Sequence, residues 1–98
     1  MLLASNNIAV GSRLKYIVDY RDFLEPGIKV LQASVIVTPG QSPTPTSTVD
    51  TVTIENGIFV WFYVNAGVLN EVFTVTVQAV DSETETVVDT VQFTVVTP

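Results

Sequence analysis

The sequence predicts an all-β chain folded as an antiparallel β-sandwich of six or seven strands. Three observations predict it. Apolar and polar residues alternate with a period of two along most of the chain, so that one face of each strand is apolar and the other wets. Valine and threonine dominate while helix formers are sparse, and no window spaces apolar residues at three and four. Turn formers such as Pro26-Gly27 and Asn56-Gly57 separate the alternating runs at roughly ten-residue intervals.

Taken in order, residues 1–11 have no clear period and end in Gly11. They read as an extended N-terminal arm or a frayed terminus, leaving residues 12–98 as the single folded domain. Arg13 to Tyr20 is the first strand, with Leu14, Tyr16, Val18 and Tyr20 on one side and Lys15, Ile17 and Asp19 on the other. Pro26-Gly27 marks a turn, ahead of which Phe23-Leu24 can tuck a corner onto the core. The next strand spans Ile28 to Thr38. Its apolar parity changes between Val30 and Leu31, which predicts a bulge there or a strand that begins later.

Pro39 to Ser47 holds three prolines and reads as an extended, exposed loop. Thr48 to Ile54 is weakly apolar, as suits an edge strand, and Asn56-Gly57 closes a hairpin into Ile58–Val64. In that strand both faces are apolar: with Ile58, Val60, Phe62 and Val64 in the core, Phe59, Trp61 and Tyr63 point outward. The terminal hairpin alternates most clearly, Phe73, Val75, Val77 and Ala79 in one arm and Val91, Phe93 and Val95 in the other, joined by an acidic turn. A two-stranded unit of this kind needs a second layer over its apolar face. Strands of this number and spacing without a helix are the pattern of an immunoglobulin-type sandwich, with a small barrel as the competing closure.

Composition excludes several functions. A formal net charge of −6 repels phosphate backbones and anionic lipid head groups, so neither nucleic acid nor membrane is an expected partner. Histidine and cysteine are absent, which removes Ser-His-Asp and Cys-His arrangements, the usual zinc ligand sets and disulfides. Asp81, Glu83 and Glu85 fall at alternate positions and have a hard-cation reading, weighed against a solvated turn; the turn is favoured because no calcium-loop pattern accompanies them. Asp19 and Asp22 form a carboxylate pair with nothing to place them in a cleft. The expectation is a non-enzyme with no catalytic, cofactor or metal residues. The N-terminus lacks a basic signal-peptide region and no apolar run reaches membrane-spanning length, which predicts a soluble, untargeted protein.

Two features point to a partner surface. All four basic residues, Arg13, Lys15, Arg21 and Lys29, precede Val30, whereas seven of the ten acidic residues follow it. The basic strand either pairs within the chain or docks on the acidic turns of another copy. The outward stripe of Phe59, Trp61 and Tyr63 is the sharper feature. Its readings are a protein interface, coverage by residues 1–11 or a loop, and a platform for sugar rings. Phe59, Trp61, Tyr63, Arg13 and Lys15 are therefore the candidate interface residues.

The segment Tyr16-Ile17-Val18-Asp19-Tyr20-Arg21-Asp22-Phe23-Leu24-Glu25-Pro26-Gly27, with the Ala33–Pro39 strand behind it, resembles the opening of small immunoglobulin-like bacteriophage tail proteins, the fiber-tail adaptors. Val60-Trp61-Phe62-Tyr63-Val64-Asn65-Ala66-Gly67 looks like that family's Val-Trp-Leu strand and turn, and Val72–Val80 like its following strand. The chain departs from the family pattern at Ile36, where tryptophan is common, and in its acidic terminal turn. The resemblance implies a non-catalytic virion structural protein, assembled in the host cytoplasm, in which multiple copies connect tail and fiber or another peripheral component. A capsid decoration protein and a carbohydrate-binding or adhesin module are the alternative readings.

Overall fold

The computed structural model describes residues 2–39 and 46–98. The strands among them are β1 (Leu2–Ala9), β2 (Arg13–Asp19), β3 (Val30–Pro39), β4 (Thr48–Glu55), β5 (Phe59–Asn65), β6 (Val72–Asp81) and β7 (Thr86–Val96). They form two sheets, one of four strands in the order β1-β7-β6-β3 and one of three in the order β2-β5-β4. Packed face to face, these make the all-β sandwich that the alternation predicts. Residues 40–45 of the expected proline-rich loop lie outside the described residues, and Ser47 at its end is buried rather than exposed.

The core follows from the period of two. Phe73, Val75, Val77 and Ala79 of β6 and Val91, Phe93 and Val95 of β7 are buried, as are Val18, Val60, Phe62 and Val64 from the opposite sheet. Phe73 stacks on Phe93 at 5.3 Å, and Tyr16 bridges the layers with its ring 5.8 Å from both Phe62 and Phe93. Each fully buried side chain of this kind stabilises the fold by about 1.5–3 kcal/mol.

The N-terminal segment differs from its expectation as an arm. Residues 2–9 are built into the four-stranded sheet as β1, which runs parallel to β7 with Ile8 opposite Val95; Ile8 is buried. The other pairings are antiparallel. No local alternation announces β1, because its order comes from a partner strand almost ninety residues away in sequence.

Two bulges set which side chains enter the core. β3 starts at Val30, and its register on β6 shifts between Val30 and Gln32, which accounts for the parity change at Leu31. β4 shifts between Asp50 and Thr53, with Thr51 at φ 57. The shift turns Val49 and Ile54, of opposite parity, toward the same core.

Local chemistry ends the strands where the sequence indicates. In Glu25-Pro26-Gly27-Ile28 the Ile28 N–H donates to the Glu25 carbonyl at 3.0 Å and Gly27 has φ 84, the proline-then-glycine order of a type II turn. Asn56 and Gly57 have φ of 56 and 67, and a side chain at Gly57 would run into Lys29. Of the corner residues, Leu24 packs against the core, while Phe23 stays half-exposed with its ring edge on Tyr20.

Tyr20, just after β2, brings a phenol into the interior. It is 1% exposed, and its hydroxyl is pushed up to about 12 by burial and then by the neighbouring Asp89 carboxylate, itself buried. Neither the phenol oxygen nor Asp89 Oδ2 has a hydrogen bond among the described residues. A raised value means that the folded state resists losing this proton. Stability is whole below the ordinary value of 10.0 and is lost as pH rises through about 12. Urea titrations between these limits should lose about 2 kcal/mol by the upper one, and Tyr20→Phe should abolish that alkaline limb.

Candidate protein-interaction face

β5 places alternate residues on opposite sides, so Phe59, Trp61 and Tyr63 stand together on the outer face of the three-stranded sheet while Val60, Phe62 and Val64 fill the core. The antiparallel register of β2 sets Lys15 opposite Tyr63, Ile17 opposite Trp61 and Asp19 opposite Phe59. Each ring then meets a cation on the diagonal. The Arg13 guanidinium lies 3.8 Å from the Tyr63 centroid, the Lys15 ammonium 4.1 Å from Trp61, and the Arg21 guanidinium 5.5 Å from Phe59. Such contacts are worth about 0.5–1 kcal/mol each at exposed sites. They hold the rings half-buried and in order, with Trp61 meeting Tyr63 edge-on at 5.9 Å.

Carboxylates anchor the cations. Asp50 of β4 takes the Arg13 guanidinium at 2.7 Å, the Asn65 amide at 2.7 Å and the Thr51 hydroxyl at 2.7 Å. Hydrogen bonds from Thr51, Asn65 and Arg13 hold its carboxyl down at about 2. Asp19 grips Arg21 through both oxygens, at 3.1 and 3.0 Å to Nε and 2.7 Å to Nη2, and these bonds lower its proton affinity. Both pairs face solvent, so they fix geometry more than they add stability.

All five expected interface residues, Phe59, Trp61, Tyr63, Arg13 and Lys15, thus share one face. Sequence reasoning missed Arg21, Asp50, Asn65 and Ile17. Arg21 continues the odd parity of Arg13 and Lys15 and was legible as such; Asp50 and Asn65 join only through strand register. The basic strand pairs within the chain, through Arg13 to Asp50 and Arg21 to Asp19. Among the described residues, what lies over the rings is this set of cations and not β1, which belongs to the other sheet. Trp61 Nε1 is buried with no hydrogen-bond partner among the described residues, and Ile17 beside it is half-exposed.

The acidic run takes no part in this face. Asp81 Oδ1 accepts from the Glu83 and Glu85 amides at 2.9 Å each, so its carboxylate organises the β6–β7 turn. Asp19, of the carboxylate pair, is engaged with Arg21.

A face rich in tryptophan, tyrosine and arginine on a rigid sheet has the composition of a protein contact. The family model described as podophage GP4 fiber-tail adaptor protein gp77 matches residues 9–96. The chain belongs to this family. The fiber-tail adaptors are components of the virion, and the resemblance seen in Tyr16–Gly27 and Val60–Gly67 is to the same group. No curated protein sequence matches the adaptor chain. Among solved structures, a 2,6-sialyltransferase from Vibrionaceae Photobacterium sp. JT-ISH-224, in ternary complex with CMP and lactose, is similar with a TM-score of 0.61. The identity is 16%, and the match takes in all of this chain but 18% of that one. At that identity the likeness shows a shared sandwich fold and no shared chemistry.

Proposed function

We propose that the chain is a non-catalytic adaptor that joins a fiber to the phage tail, and that the cation–aromatic face of β2 and β5 is its contact with a virion partner. Family membership supports the role. The observation that supports the surface is the ordered row of Arg13 on Tyr63, Lys15 on Trp61 and Arg21 on Phe59. A partner that presents carboxylates or main-chain carbonyls meets three preset cations there, and Trp61 and Ile17 supply apolar area between them. The sugar reading is less favoured, because stacking needs open ring faces and each ring already has a cation against it.

The test is complementation of phage lacking this protein with Trp61→Ala and, separately, Lys15→Glu. Both variants should retain the parent's cooperative thermal unfolding, since neither side chain is in the core. Particles should lose their fibers or the adaptor itself. Fibered, infectious particles from both variants would sink the assignment of this face, and binding of free glycans by the parent chain that Trp61→Ala removes would replace it with the lectin reading.

A further inference from the structure

The two sheets treat their edges differently. In the three-stranded sheet, edge strand β4 is bulged at Thr51 and bears Asp50 and Glu55, and edge strand β2 bears Arg13, Lys15 and Asp19. Bulges and charges are the usual devices that stop an edge from pairing with another chain. β3, at the edge of the four-stranded sheet, has neither along its length after Gln32. Its ten residues belong to the longest charge-free stretch of the chain, Val30 to Val49. Alternate N–H and C=O groups of an edge strand point away from its neighbour. Among the described residues no backbone hydrogen bond ties Leu31–Thr38 to any element but β6.

The side chains agree with the backbone. Ile36 is 58% exposed on the outer face of β3. On the inner face, Ala33, Val35 and Val37 are only partly buried, whereas Val75 and Val77 of β6 and Val91 of β7 are fully covered. The outer face of this sheet is itself uncharged: Gln32, Ser34, Ile36 and Thr38 adjoin Thr74, Thr76, Gln78 and Val80. One more strand beside β3 would pair the free backbone groups and complete the cover of these valines.

We propose that this strand is β3 of a second copy, paired antiparallel about a two-fold axis to give a continuous eight-stranded sheet. Charge favours a copy of the same chain. At −6 per chain, two molecules approach most easily where neither presents an acid, and this edge is such a place. The other edge of this sheet, β1, is uncharged too but carries a register shift between Leu2 and Ala4, whereas β3 is regular after Gln32, and an isologous antiparallel joint there closes. Matching outer faces requires residues of equal parity to stand opposite. The register that sets Ile36 against its own copy, with Ser34 opposite Thr38, covers the most exposed apolar side chain of the regular strand.

The test is light scattering at rising concentration on the parent chain, Ile36→Lys and Ile36→Cys. The parent should shift from monomer to dimer. Ile36→Lys should stay monomeric with unchanged thermal unfolding, because an exposed lysine blocks the edge without touching the core. In a chain with no other cysteine, Ile36→Cys should form a disulfide dimer under mild oxidation, since facing Cβ atoms lie about 4.5–5.5 Å apart. Gln92→Cys, central on the same face, should not. A parent that stays monomeric, or an oligomer that survives Ile36→Lys, overturns the proposal. So does an assembly larger than a dimer that Ser5→Lys on β1 also disperses. Trp61→Ala should leave the dimer intact, which separates this edge from the β2–β5 face.

Discussion

Replacing Glu71 with alanine is expected to cost about 3 kcal/mol of folding stability, read as a lowered urea midpoint with an unchanged slope. Glu71 is 8% exposed, and the Thr46 and Ser47 hydroxyls both donate to its Oε1, the former at 2.8 Å. Its Oε2 accepts from the Thr46 amide at 2.9 Å and the Ser47 amide at 3.4 Å. The same hydroxyls accept in turn from the amides of Gly67, at 2.9 Å, and Val68, at 3.2 Å. One carboxylate therefore fastens the approach to β4 onto the segment between β5 and β6. Gly67 packs so closely there that a side chain would strike Thr46. Alanine leaves the buried Ser47 hydroxyl without its acceptor, which is the costly kind of loss. Acid should have the same effect on the parent. Burial pushes the Glu71 carboxyl up, but the bonds from Ser47 and Thr46 outweigh it and hold the group below its ordinary 4.5. Its contribution is present above that value and fades as pH falls through the lower folded one. The parent's advantage over Glu71→Ala should shrink over that range; an advantage that does not change with pH would show that the carboxylate's charge is irrelevant.

Phe73→Ala should cost about 3–5 kcal/mol, the larger of the two effects, and should leave much of the protein unfolded at ordinary temperature, given total stabilities of about 5–15 kcal/mol for domains of this kind. The Phe73 ring is fully buried, nearly parallel to Phe93 at an interplanar angle of 15°. Phe93 in turn meets the edge of Tyr16 from the other sheet at 81°. Removing the first ring opens a cavity under both β6 and β7 and loosens the contact between layers. Phe73→Leu, which refills most of that volume, should recover more than half of the loss. Calorimetric unfolding of the three chains measures this directly, and a loss under about 1 kcal/mol in the alanine variant would mean that the sheets close over the gap.

Much of this architecture is legible in the residues because it is local. The alternation of β6 and β7 names the inward face, Asn56-Gly57 and Pro26-Gly27 name turns whose φ values the backbone adopts, and the broken parity at Leu31 names a bulge. The outward direction of Phe59, Trp61 and Tyr63 follows from the same period, since a strand that buries Val60 and Phe62 has nowhere else to put them. β1 is not legible: Leu-Leu-Ala-Ser-Asn-Asn-Ile-Ala has no period, and it is a strand because β7 offers an edge. The bulge at Thr51 is harder to read: apolar parity does change between Val49 and Ile54, but the run is so weakly apolar that neither face stands out as the inward one.

By itself, then, the sequence determined the period, the turns and the residues of the aromatic stripe, all of which rest on neighbours in the chain. Only the tertiary structure decided what meets that stripe. The cation on each ring and the Asp50 carboxylate behind Arg13 come from different strands, brought into place by the register of β2 and β4 on β5. Register depends on which faces two whole sheets bury against each other, a property that no single stretch of residues contains.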